Sequence, residues 1–164
     1  MRGKLTIILL VLSLVFASAA LAASSAPVGG GHYKGSDNAK TRDKAGRSVK
    51  LAVTRNRANF ASGLLNFVLE GHAVQGSCAG PAYVSLSPTH ARQISKAGTF
   101  NLHGSFTFQV PTPHGGLTYK ASVTITGGFS DHGQKVSGTL RETARHNNFS
   151  CHSATVHFSA SLTK

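Results

Sequence analysis

Along residues 117–151, apolar and polar side chains alternate. Tyr119, Ala121, Val123, Ile125 and Phe129 take the odd positions, with Lys120, Ser122, Thr124 and Thr126 between them. After the segment Ser130-Asp131-His132-Gly133-Gln134, the even positions Val136, Leu140 and Ala144 carry the apolar series, with Gly138 among them. Period two on both sides of a glycine-bearing turn predicts a long β-hairpin with one half-buried face. Glu142 continues the even series, and an ionised carboxylate on an inward face needs a partner. The alternative reading places it at a strand end, reaching solvent or an arginine.

The same period recurs elsewhere. Tyr33 anchors a short first strand at 32–35, and Val49, Leu51 and Val53 share one face of a strand over 48–54, followed by a turn at Arg55-Asn56-Arg57. Residues 58–70 hold Phe60, Leu64, Leu65, Phe67, Val68 and Leu69 around Gly63. Leu64, Phe67 and Val68 also fit a helical spacing, but so short a run flanked by glycines favours a strand with a bulge at Gly63. Further strands are expected at 82–86, 99–102 and 105–110, the last two broken at His103-Gly104, with a loop at 111–116. A closing strand over 150–162 puts Ala154, Val156, Phe158 and Ala160 on one face. Glycines precede aromatics at Gly98, Gly104 and Gly128, which reads as room made for rings. Recurrent turns and no long helical period predict an all-β antiparallel β-sandwich, with a partly closed β-barrel as runner-up.

The N-terminus changes the picture of where this domain works. Arg2 and Lys4 precede an apolar run over 5–16, and Ala20-Leu21-Ala22 forms a small-x-small site before Ala23. This predicts a signal peptide over 1–22, too short in its apolar run for a comfortable membrane span. Residues 23–31 are small and glycine-rich, an expected flexible lead-in to a single domain over 32–164. The expected location is secreted or envelope-associated, with no transmembrane span after processing. Cys78 and Cys151 are the only cysteines, and an oxidising compartment pairs them as a disulfide. The alternatives are two free thiols or half of a metal site, for which the paired spacing of zinc ligands is absent. A closed loop of about 74 residues would stabilise the fold by roughly 4 kcal/mol.

The order of these features is a signal peptide, Tyr33-Lys34-Gly35, a Val-x-Leu-x-Val strand, Cys78, Gly98-Thr99-Phe100, Val136-Ser137-Gly138-Thr139-Leu140 and Cys151. It resembles small exported all-β proteins of high-GC Gram-positive (actinobacterial) type. Tyr33, Gly35, Cys78, Phe100, Gly138 and Cys151 carry the resemblance, which spans nearly the whole mature chain. It implies a disulfide-linked β-sandwich and brings no catalytic or binding residues with it.

Charge is the strongest functional signal. Seventeen basic residues stand against five acidic ones, and removal of Arg2 and Lys4 leaves a formal +10. Lys34, Lys40, Arg42, Lys44, Arg47, Lys50, Arg55 and Arg57 crowd into one stretch against Asp37 and Asp43. Such a patch attracts an anionic cell-envelope polymer or a lipid surface; a specific nucleic-acid partner is not expected without interleaved aromatics. The bland counterpart is a basic surface that serves solubility. Catalysis has little to stand on. Glu70 and Glu142 are the one carboxylate pair placed on expected strands, as a glycoside hydrolase requires, and no Gly-x-Ser-x-Gly elbow occurs. The nine histidines form neither His-x-His nor His-Glu-x-x-His, so no metal and no cofactor is expected. On one regular strand His152 and His157 would face opposite sides. The expectation is a non-enzymatic binding protein. Its alternatives are a small-ligand carrier lined by Phe60, Phe67, Phe106, Phe108 and Tyr119, and an undetected hydrolase.

Overall fold

A computed structural model describes residues 25–39, 47–72, 80–86, 93–112, 115–147 and 149–164. The expected signal peptide, Lys40, Arg42, Lys44 and Cys78 lie outside these residues. The described residues form nine strands and no helix: β1 (His32–Asp37), β2 (Ser48–Val53), β3 (Phe60–His72), β4 (Gly80–Leu86), β5 (Thr99–Thr112), β6 (Gly115–Ser130), β7 (Lys135–His146), β8 (Phe149–Ser153) and β9 (Val156–Leu162). The all-β class is as expected.

The hairpin β6–β7 forms with Ile125 opposite Leu140 and Phe129 opposite Val136, all buried. Its loop takes left-handed backbone at Asp131, His132 and Gly133 (φ 54°, 53° and 80°), a run that glycine and aspartate tolerate best. All pairings are antiparallel, in the order β4-β3-β2-β1-β9-β7-β6-β5, with β8 bridging β3 and β7. The bridge closes β1, β2, β3, β8, β7 and β9 into a six-stranded barrel; β4 extends it on one side, β6 and β5 on the other. The runner-up architecture thus describes the closure, which no open sandwich has.

Closure comes from the last stretch of chain. It was expected to run as one strand, and it bends instead. β8 pairs β7 through Ala144↔Cys151, β9 pairs it through Leu140↔Val156, and the register slips by one residue between them. The extra residue is a bulge, which bends a strand and lets its two halves reach different partners. The first half meets β3 and the second meets β1. Ala154 is consequently exposed, and His152 and His157 both face solvent, where a regular strand would have separated them.

Four other expectations are corrected. β5 runs unbroken through His103 and Gly104 to Thr112, and β6 starts at Gly115, so strand takes four of the six residues expected as a loop over 111–116. Gly104 sits opposite Val123 in an intact ladder, so it relieves crowding without ending the strand. The irregularity in β3 lies between the Ala52↔Ser62 and Val53↔Phe60 pairs and not at Gly63. Residues 25–31 pack on the domain where a flexible lead-in was expected. Pro27 is fully buried, the Ser25 N–H donates to the Phe129 carbonyl at 2.8 Å, and Gly29 lies so close to the Arg55 carbonyl that a Cβ would meet it at 2.6 Å.

The interior is a single apolar cluster. At one end Tyr33, Phe60, Phe100 and Phe129 meet ring to ring at centroid distances of 5.1–6.2 Å. Exposed strand positions carry mostly serine, threonine, lysine and arginine, with Tyr83 and Phe106 as the large apolar exceptions. This polarity is the inverse of a lipid-facing barrel, whose outside is an apolar band.

Candidate functional site

The basic stretch folds into parts with different environments. Lys34 on β1 and Lys50 on β2 are direct cross-strand partners, and both are exposed. Partners in register share a face, and like charges there repel. The two lysines line a shallow groove of about 380 Å³ with His32, Ser62, Leu64 and Ser85. Arg55 and Arg57 are exposed on the following turn, beside Gly29 and Gly30. Arg47 is different, because its charge acts on Asp37. Burial pushes the Asp37 carboxyl up, while hydrogen bonds from the Ala39 and Asn66 amides and the Arg47 charge pull it back. Among the described residues the one ion pair joins Lys135 to Asp131 at 3.2 Å, exposed on the hairpin turn. Lys34, Lys50, Arg55 and Arg57 have no carboxylate counter-ion there.

Glu142 fulfils the inward parity and not the solvent-reaching alternative. It is 2 % exposed, and neither carboxyl oxygen has a hydrogen-bond partner among the described residues. Burial alone pushes its carboxyl up to about 7, because the charged form loses its hydration. It stands on β7 at the slip between β8 and β9, where its amide donates to Ser153 Oγ at 2.8 Å instead of to a strand carbonyl. Glu70 stands opposite His152, and His152 opposite Thr143. Thr143 is the chain neighbour of Glu142, so β8 stands between the strands that carry the two glutamates.

The five rings expected to line a ligand mouth divide between two surroundings. Phe60, Phe67 and Tyr119 are buried in the core. Phe108 stacks on Tyr119 at 5.3 Å and 11°, and Phe106, 38 % exposed, tilts beside Phe108 at 6.2 Å. None of the five lines a described pocket. No group of three metal-ligating side chains occurs among the described residues. No described helix is long and apolar enough to cross a membrane.

A second basic feature was missed from sequence. Lys120 on β6 and Arg145 on β7 are also direct partners and exposed. The signal was available: the hairpin turn pairs Ser130 with Lys135, and counting outward from it places position 120 opposite 145.

No family model matches the chain, and no curated protein or solved structure matches it.

Proposed function

We propose that this is a non-enzymatic, exported protein of the cell envelope that holds a phosphate-bearing anionic polymer in the Lys34–Lys50 groove. One observation carries the reading: two lysines in direct register line one groove with no described carboxylate to neutralise them. Such a pair costs stability when empty and gains most from an anion between the ammonium groups. The expected signal peptide supports export, and the polar outer face of the barrel supports a domain in water. A Cys78–Cys151 disulfide belongs to the same proposal. Its support is that Cys151 is fully buried and that no free cysteine occurs among the described residues.

Retention on immobilised polyphosphate, compared with anionic and with zwitterionic vesicles, tests the reading. Binding to the polymer should weaken with salt and fall in Lys34→Gln/Lys50→Gln. Retention indifferent to salt and to both substitutions would remove it, and preference for anionic vesicles would reassign the groove to a lipid surface.

A further inference from the structure

We infer a second, separate anion site at the far end of the hairpin: a groove built on Lys120 and Arg145 that takes a phosphate or sulfate ester carried on a hydroxyl-rich chain. At this end β6 runs on to Gly115, whereas the ladder with β7 stops at the Lys120↔Arg145 pair. The step between the long strand and the short one forms a groove of about 780 Å³, lined by Thr118, Lys120, Ser122, Thr143, Arg145 and His146 among others. That volume lies within the range of small-molecule sites.

The wall of the groove is fixed in place. The His146 ring takes over where the ladder ends: its Nδ1–H donates to the Thr118 carbonyl at 2.6 Å. A carbonyl only accepts, so Nε2 is left as the acceptor facing the Asn147 side-chain amide at 3.3 Å. The ring also packs 5.5 Å from Tyr119. Asn147 turns the chain away with a left-handed φ of 49°.

The donors are free. Neither the Lys120 nor the Arg145 side chain has a hydrogen bond or ion pair among the described residues, whereas nearby Arg141 is held by Thr155 Oγ1 at 2.6 Å. No acidic side chain lines the groove. A guanidinium fork and an ammonium side by side match the oxygens of a phosphate or sulfate. The hydroxyls of Ser122 and Thr143, partners in the next outward-facing pair, suit the hydroxyls of a carrier sugar. Counted along β7, Lys135, which shares the β9 residue Ser161 with Lys34, lies ten residues from Arg145, or roughly 30 Å at strand rise. One bound ester cannot fill both grooves.

Amide chemical-shift titration with dextran sulfate and with tripolyphosphate, against neutral dextran, tests the site on the full mature chain. The expected result is saturable, salt-sensitive movement at Ser122, Thr143 and Arg145 with the charged probes and none with neutral dextran. Lys120→Gln/Arg145→Gln should weaken that response about tenfold, and Lys34→Gln/Lys50→Gln should leave it intact. Dextran sulfate acting alone assigns a sulfated chain, and tripolyphosphate alone a phosphorylated one. An equal response to neutral dextran, or an unchanged affinity in Lys120→Gln/Arg145→Gln, overturns the proposal. Shifts confined to β1 and β2 overturn it too, while sparing the Lys34–Lys50 reading; the reverse pattern removes that reading and leaves this one.

Discussion

The Tyr33 hydroxyl donates to the Gly133 carbonyl at 2.7 Å, a buried bond that ties the first strand to the turn of the β6–β7 hairpin. The same oxygen accepts the Val28 N–H at 3.1 Å, so one atom fastens residues 25–31, β1 and the hairpin together. Burial pushes the phenol up, with the Val28 bond opposing, and the group therefore stays a donor across the neutral range. Tyr33→Phe keeps the ring contact with Phe129 and leaves two backbone groups without this partner. Urea unfolding should show a loss of about 1–3 kcal/mol. An unchanged midpoint would mean that water replaces both bonds.

Glu142 should make the fold sensitive to pH in an unusual direction. A carboxyl raised by folding, from 4.5 to about 7, binds more protons in the folded state than in the unfolded one. Its contribution is fully present below pH 4.5 and is lost as pH rises through about 7. The full shift corresponds to about 3 kcal/mol. Asp37, also raised from its ordinary 3.8, acts in the same direction at the acid end. The informative measurement is therefore wild type against Glu142→Gln. The wild-type curve should fall between pH 5 and 8 and the variant's should flatten; parallel curves would show that Glu142 is not the group responsible.

Gly127 and Gly138 stand opposite each other in the β6–β7 ladder, and rings occupy the space that their side chains would fill. A Cβ at Gly138 would meet the Thr126 carbonyl oxygen and the Phe158 ring at 2.8 Å; at Gly127 it would meet the Ser137 carbonyl oxygen and the Phe100 ring at 2.6 Å. Backbone cannot give way as a side-chain tip can. Gly138→Ala should cost about 1–3 kcal/mol by overpacking, in contrast to the near-neutral effect expected of an exposed substitution such as Ser137→Ala. A thermal shift no larger for Gly138→Ala than for Ser137→Ala would contradict the close packing.

Much of this was legible in the chain, because alternation records which side of a sheet a residue faces. The parity of Val136, Leu140 and Ala144 gave the inner face of β7 and pointed to Glu142 on it. What alternation cannot record is partnership between distant strands. The Lys34↔Lys50 pair depends on how the chain returns between β1 and β2. The closure depends on a bulge at Ala154-Thr155, where two small polar-compatible residues give no local signal of a bend. His103-Gly104 misled in the opposite sense: it carries turn chemistry, yet Gly104 lies in a continuous ladder against Val123, and pairing along the whole strand outweighs one weak position. Of the glycines that precede aromatics, Gly104 lies against the Val123 side chain and no ring, and the room for rings is at Gly127 and Gly138. Gly98, by contrast, is a turn residue with φ 83°.

The Lys34–Lys50 pair should show opposite effects on stability and on binding. Direct opposition of two ammonium groups on one face is unfavourable, so Lys50→Glu replaces a repulsion with an exposed ion pair. The fold should gain about 0.5 kcal/mol at low salt, and the gain should shrink as salt screens both forms. Polyphosphate retention should fall in the same variant, because an anion now repels the ligand where a cation held it. Lys50→Gln should lie between the two in both measurements. A variant that gains stability and keeps full retention would show that the groove does not hold the polymer, and one that loses stability would show that the lysines are not repelling each other across the pair.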